Sequence, residues 1–195
     1  MKAQRIGLFI LLLGVSGVFY GCQRNNTQVI NESETLLKNM KSYEVVATVT
    51  FLQDAQANVI KMKQKADING EYTITIESPE HLKGYQVSYA NNEVIEYNPI
   101  TQTSNKGKVL AARNEVLLGN FITNYKADSE AKKQETNLNG KKITCFEANI
   151  PGEYRYLNSE KLWFDEKTMS PIKMEILDLN GTPSISIAFE DFKYN

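Results

Sequence analysis

A single histidine, His81, is available for acid–base or metal chemistry, and it sits in Ser78-Pro-Glu-His-Leu82, next to Glu80 and near Glu77. A Ser-His-Asp triad or a histidine-based metal site needs partners that the fold sets at fixed distances. With no second histidine and no usable cysteine pair, the residues offer no histidine–cysteine zinc site, and His81 reads as an exposed loop residue. Glu190 and Asp191 are adjacent, so on a regular strand they point to opposite faces and cannot work as a pair. The sequence carries no Gly-rich phosphate loop, no G-x-S-x-G and no H-E-x-x-H. These residues predict a protein that is not an enzyme and that holds neither metal nor cofactor.

Cysteine is the other reactive residue, and there are two, Cys22 and Cys145. Lys2 and Arg5 precede an uncharged run from Ile6 to Tyr20, followed by Gly21, Cys22 and a polar stretch. That order is the charged region, apolar region and small-residue boundary of a secretory signal. A cysteine directly after the small residue adds the lipoprotein pattern, with acylation of Cys22 after cleavage at Gly21. Phe19 and Tyr20 depart from the usual motif, which favours leucine and then a small residue. The alternative is an uncleaved anchor, since the uncharged stretch from Ile6 to Gln23 approaches the minimum length of a membrane span. Either way Lys2 and Arg5 stay inside and the remainder is exported, held at the outer face of the cell membrane. Two acyl chains on Cys22 would give the stable anchor that a single chain does not. Residues 1–21 are thus expected to be signal peptide, 22–29 a tether and 30–195 one domain. Cys145, in the strand-like run Lys142-Ile-Thr-Cys-Phe146, is expected to be a buried free thiol.

The charge balance excludes a nucleic-acid partner. The chain has 22 basic and 23 acidic residues, and removing Lys2 and Arg5 leaves 20 against 23, a net of −3.

Two stretches have helical spacing. Residues 31–41 place Asn31 and Glu34 as a capping box with Leu36, Leu37 and Met40 as a stripe. Residues 108–124 repeat Val109, Leu110, Val116, Leu117 and Phe121. Most of the remaining chain alternates as strands do. Tyr43, Val45, Ala47, Val49 and Phe51 form one face of a strand whose other face is polar. Ile60, Met62, Gln64, Ala66 and Ile68 form a second, with Lys61, Lys63 and Lys65 outward, and Tyr72, Ile74 and Ile76 a third. Tyr85, Val87 and Tyr89 are expected to face a second hairpin arm carrying Ile95 and Tyr97. Asn-Gly at 69–70, 139–140 and 180–181 supplies the positive φ of tight hairpins. A two-residue loop at Asn180-Gly181 pairs Ile176 with Ile185, Met174 with Ile187 and Ile172 with Phe189. At Asn69-Gly70 a three-residue loop, residues 69–71, is needed to keep Ile68 and Tyr72 on one face. A bulge is expected between Phe189 and Phe192, where the alternation changes parity. Helix, strands, helix, strands is an α+β pattern: a curved antiparallel sheet, an open half-barrel, with helices packed on its concave face.

Tyrosine is abundant. Tyr85, Tyr89, Tyr97, Tyr154 and Tyr156 are candidate partner-binding residues, because tyrosine offers rigid amphipathic contact area; half-buried sheet packing is the plainer reading. The lysine row 61, 63, 65 is either a solvated face or an attractor for an acidic partner.

Several segments resemble the LolA/LolB-like lipoprotein-sorting family. They are Leu162-Trp-Phe-Asp165, Thr168-Met-Ser-Pro171-Ile-Lys173, Leu177-Asp-Leu-Asn-Gly181 and Ile187-Ala-Phe-Glu-Asp-Phe192, with Lys41-Ser-Tyr43 and Glu96-Tyr97-Asn-Pro99 upstream. Within that fold the chain is similar to the GerS-type germination lipoproteins of clostridial spores. The resemblance implies no catalytic residues. Sorting members imply a cavity for acyl chains between sheet and helices. GerS-type members imply binding and support of the cortex amidase CwlD, an N-acetylmuramoyl-L-alanine amidase that uses zinc, in the forespore intermembrane space. A homodimer formed by strand swap is a further expectation. A filled core with exposed tyrosines or strand edges would favour a protein-binding lipoprotein; an apolar cavity would favour a carrier of lipid or acylated peptide.

Overall fold

The computed structural model describes residues 32–52, 58–108, 114–138 and 140–195. Cys22, the signal and the tether lie outside them, as do Asn31, Val109, Leu110 and Asn139.

The alternating segments become strands. In chain order they are β1 (Ser42–Phe51), β2 (Asn58–Asp67), β3 (Tyr72–Ser78), β4 (Gln86–Ala90), β5 (Glu93–Asn98) and β6 (Thr103–Lys108), then β7 (Lys132–Leu138), β8 (Lys141–Asn149), β9 (Ser159–Asp165), β10 (Ser170–Leu177) and β11 (Pro183–Tyr194). Two helices interrupt them, α1 (Glu32–Asn39) and α2 (Leu118–Ala127). All eleven strands form one antiparallel sheet in the order β6-β5-β4-β3-β2-β1-β11-β10-β9-β8-β7. The first and last strands join at the centre through β1 and β11, and β6 and β7 are the two free edges, so the half-barrel is open.

The face predicted to be apolar is the one that is buried. Tyr43, Val45, Ala47 and Val49 of β1 meet Met62 and Ala66 of β2, Phe146 of β8, Leu162 and Phe164 of β9, Met174 and Ile176 of β10 and Ile187 of β11 in one core. Leu37 of α1 and Phe121 and Ile122 of α2 close that core from the concave side.

α1 spans 32–39 rather than 31–41 and carries acidic residues in its first turn and Lys38 in its last, matching the helix dipole. Glu34 joins three elements: it pairs with Lys38 at 2.7 Å, pairs with Lys133 of β7 and accepts the Tyr125 hydroxyl of α2 at 3.3 Å. Burial raises the Glu34 pKa, but the hydrogen bonds and charges of Lys133 and Lys38 outweigh it and hold the carboxyl below its ordinary 4.5. A folded-state pKa below the unfolded one gives stability that is present above the unfolded value and lost as pH falls through the folded one. Urea melts taken from pH 6 down to pH 3 should therefore show a smaller acid loss in Glu34→Gln than in the parent. Equal losses would mean that this carboxylate is not held by its partners.

α2 starts later than predicted and runs further. Lys108 ends β6, and Val116 and Leu117 lie in a turn built on Asn114, whose carbonyl accepts the Leu117 N–H at 3.0 Å. The helix then continues to Ala127 because Tyr125 stacks on Phe121 at 5.9 Å and meets the edge of Phe146 at 5.3 Å. Its N-terminus has no side-chain cap of its own. The sheet supplies one: Gln64 Oε1 accepts the Leu118 N–H at 3.4 Å, and the Tyr43 hydroxyl accepts the Gly119 N–H at 2.9 Å. Gln64 Nε2 also donates to the Val116 carbonyl at 2.9 Å. Gly119 suits this contact, because an added Cβ would stand 3.3 Å from the Tyr43 ring.

Turn chemistry departs from expectation in two places. The Asn180-Gly181 hairpin keeps the Ile176–Ile185 and Met174–Ile187 pairs. Its loop has three residues, closed where the Asp178 N–H meets the Thr182 carbonyl at 2.9 Å, and a slip between Ile176 and Leu177 restores the register. The expected Ile172–Phe189 pair is not in this ladder, which ends at Lys173–Ala188; a slip between Pro171 and Lys173 buries Pro171 and leaves Ile172 half-buried. At Asn69-Gly70 the loop is three residues long but comprises 68–70, so Tyr72 pairs with Ala66, and Ile68 gives its N–H to the Lys41 carbonyl. The predicted bulge in the last strand is present: Glu44 faces Lys193, Val46 faces Glu190, and Asp191 takes φ 52°.

Candidate functional site

The proposed binding tyrosines do not form one cluster. Tyr85 and Tyr89 lie on the concave side of the β4 arm, where Tyr85 donates to Glu96 at 3.2 Å and Tyr89 packs 5.8 Å from Tyr72. Asn91 and Asn92 both adopt positive φ (54° and 61°), which makes a two-residue turn that pairs Ala90 with Glu93. The expected second arm is β5, where Ile95 and Tyr97 pair with Ser88 and Gln86 and so lie on the face opposite Tyr85, Val87 and Tyr89. Tyr154 and Tyr156 are elsewhere, exposed on the loop between β8 and β9.

Other expectations resolve at the same level. His81 is exposed in a single 3-10 turn (Glu80–Leu82), and among the described residues no group of three or more His, Cys, Asp and Glu side chains could hold a metal ion. Lys61 pairs with Glu190 at 3.1 Å and Lys63 with Glu44 at 2.7 Å, so most of the lysine row is neutralised within the sheet. Cys145 is half-buried rather than a core residue. The strand alternates, and Phe146 and Ala148 take the core side, which leaves Cys145 on the convex face opposite Trp163 of β9. Burial pushes its thiol pKa up, with Glu147 and Glu175 adding and Lys161 opposing.

The space between sheet and helices is packed. Phe121, Phe146, Phe164, Leu162 and Met174 are among its largest fully buried side chains. A polar tie crosses it: Asn124 of α2 donates to the buried Glu160 of β9 at 2.7 Å. An open cleft of about 600 Å³ lies elsewhere, at the rim where β1, β3 and β5 begin. Tyr72, Tyr89 and Tyr194 line it together with the polar residues Lys65, Glu71 and Lys193. Both sheet edges are bare. β6 is exposed along its length, and the described side chains of β7 from Lys132 to Asn137 are exposed.

The opposite rim is apolar. Here β1, β8 and β10 end and β2, β9 and β11 begin, and three loops meet through their backbones. The Leu179 N–H donates to the Arg155 carbonyl at 3.2 Å and the Leu52 N–H to the Ser184 carbonyl at 2.9 Å. The Ser184 hydroxyl donates to the Tyr156 carbonyl at 2.6 Å. Leu52, Tyr154, Tyr156 and Leu179 are all exposed on the segments that this network joins, and the Arg155 guanidinium lies 5.3 Å from the Tyr156 ring. Sequence reading found the two tyrosines but not Arg155, Leu52 or Leu179, which only the strand order brings together.

An open antiparallel half-barrel with a filled interior, whose outward features are a tyrosine-bearing cleft, bare edges and a rim with exposed apolar side chains, defines a scaffold of surfaces. The chain belongs to the YdcC-like sporulation protein family, whose model matches residues 2–195. Among solved structures it is similar to one of the CwlD amidase from Clostridioides difficile in complex with the GerS lipoprotein. The identity is 25%, the TM-score is 0.55, and the match covers 89% of this chain and 98% of that one. An uncharacterized conserved protein from Thermus thermophilus shares the fold at 10% identity and a TM-score of 0.53, with 85% of each chain covered. A LolA superfamily protein from Nitrosomonas europaea is similar at 12% identity and a TM-score of 0.43, with 86% of this chain and 93% of that one covered. No curated protein sequence matches the chain.

Proposed function

We propose that this protein is a non-enzymatic lipoprotein of sporulation that binds and supports an exported cell-wall amidase of the CwlD type. The observation that carries the reading is the likeness to the GerS–CwlD complex, over nearly the whole of both chains, joined to membership of a sporulation family. The packed interior favours contact with a protein over carriage of a lipid. Acylation at Cys22 would hold the protein at the outer face of the membrane, in the forespore intermembrane space, and raise the local concentration of whatever it binds. A partner that binds only the folded, metal-loaded amidase would stabilise it by mass action. The bare β6 and β7 edges carry the backbone groups that a strand exchange between two copies would use.

The test has two parts. The full chain, extracted from membranes in detergent, is expected to co-elute with the cortex amidase of the same organism; free elution of both, with co-purifying lipid, would favour the carrier instead. Growth with a labelled fatty acid is expected to mark the protein, and Cys22→Ala to abolish the mark. A mature chain that is unlabelled and begins elsewhere would remove the anchor from the proposal.

A further inference from the structure

Nine large apolar side chains are exposed among the described residues, and all but Ile95 and Tyr194 lie on the rim where β1, β8 and β10 end. Leu179 is 64% exposed and Tyr154 51%, in a protein whose remaining apolar side chains are largely covered. Scattered exposed apolar residues need no explanation, but neighbouring ones, as on the loops that carry Tyr154, Tyr156 and Leu179, mark an interaction site.

The backbone beneath these side chains is held in place. The Ile150 N–H donates to the Asn158 carbonyl at 2.9 Å and the Asn158 N–H to the Leu177 carbonyl at 2.8 Å, which pins both ends of the tyrosine loop to the sheet. Leu157 packs against the core below it. Gly152, at φ +120°, lets the Tyr154 ring fold over the loop: a Cβ there would meet the ring at 2.4 Å. Side chains presented on a fixed backbone lose little freedom on binding.

We propose that this rim, centred on Arg155 and Tyr156 and flanked by Leu52, Tyr154 and Leu179, is where the protein partner docks, with a carboxylate of the partner seated on Arg155 inside an apolar ring. The inference rests on the protein-binding reading above and assigns it a surface. Charge complementarity selects the partner's chemistry. The exposed Arg155 guanidinium lies against Tyr156 and makes no ion pair among the described residues, which leaves its donors open to a carboxylate of a partner. Tyrosine and arginine are also the residue types that dominate binding energy at such centres. The rim lies at the far end of the sheet from α1. α1 begins at the opposite rim, where Ser33 donates to Glu166 at 2.5 Å just beyond the end of β9. A second copy docked symmetrically on the same patch would bring two guanidinium groups together.

The experiment measures binding of the detergent-extracted full chain to the cortex amidase of the same organism. It uses the parent, Arg155→Glu, Leu179→Asp, and Lys65→Glu in the cleft on the opposite rim. Both rim variants are expected to bind about tenfold more weakly or worse, with unchanged thermal unfolding, and Lys65→Glu to bind as the parent does. If the parent binds and the rim variants bind equally well, the rim is not the docking surface, while the amidase reading stands. If the parent itself does not bind, both fall. If the rim variants instead lose affinity for liposomes or lose self-association while binding amidase normally, the occupant is a bilayer or a second copy and the proposal is overturned.

Discussion

Gln64→Leu is expected to destabilise the protein by about 3 kcal/mol, because it leaves several buried polar groups without partners at once. Gln64 is completely buried on β2, among side chains that are otherwise apolar. Its amide accepts from the buried Leu118 N–H and the Tyr43 hydroxyl and donates to the half-buried Val116 carbonyl. It does for α2 what an N-cap residue does in most helices, from a strand 54 residues earlier in the chain. Leucine fills most of the same volume, so the loss isolates the hydrogen bonds from the packing. Urea unfolding of parent and variant gives the difference directly, and Gln64→Ala should cost more because a cavity is added. Tyr43→Phe should cost less, since it removes one acceptor for the Gly119 N–H and leaves the Gln64 contacts to α2 in place. A change below about 0.5 kcal/mol for Gln64→Leu would show that α2 is not held to the sheet by this amide.

Phe146→Ala is expected to have an effect at least as large, about 3–5 kcal/mol, by opening a cavity under the second helix. Phe146 is fully buried on β8 and presents its ring edge-on to Tyr125, which in turn stacks on Phe121. Both tyrosine and phenylalanine partners belong to α2, so truncation removes the contact that carries the helix beyond Phe121. Aromatic pairs of this kind add to plain burial. Denaturant melts should show the lower midpoint, and amide exchange in residues 118–127 should accelerate more than exchange in β1 and β11. Uniform acceleration across the chain would mean that α2 does not open before the sheet. A loss under about 1 kcal/mol would mean that the site collapses around the missing ring.

Much of the architecture was legible because it depends on local rules. Alternation in Tyr43-Glu-Val-Val-Ala-Thr-Val49 has one solution when one face must be dry, and that face is the buried one. The change of parity between Phe189 and Phe192 has to be absorbed somewhere, and Asp191 absorbs it in a bulge. Asn-Gly predicts a turn, but it does not choose which flanking residues close it; the neighbouring strands do, as when Ile68 leaves the hairpin to donate to Lys41. The same limit explains Ile95 and Tyr97, whose face is set by the two-residue turn at Asn91-Asn92 rather than by their own spacing.

The sequence by itself determined the fold class, the strand faces, the sparse catalytic inventory and the candidate acylation of Cys22, because each is written in the type and order of neighbouring residues. The tertiary structure alone decided which of those residues meet. Gln64 becomes a helix cap, and Leu52, Arg155 and Leu179 become one surface, only after β1 pairs with β11 and β11 with β10. Long-range pairing of this kind is a property of the strand order. Period-two patterns say which side of a strand is dry, but not which strand lies beside it or which loops share a rim.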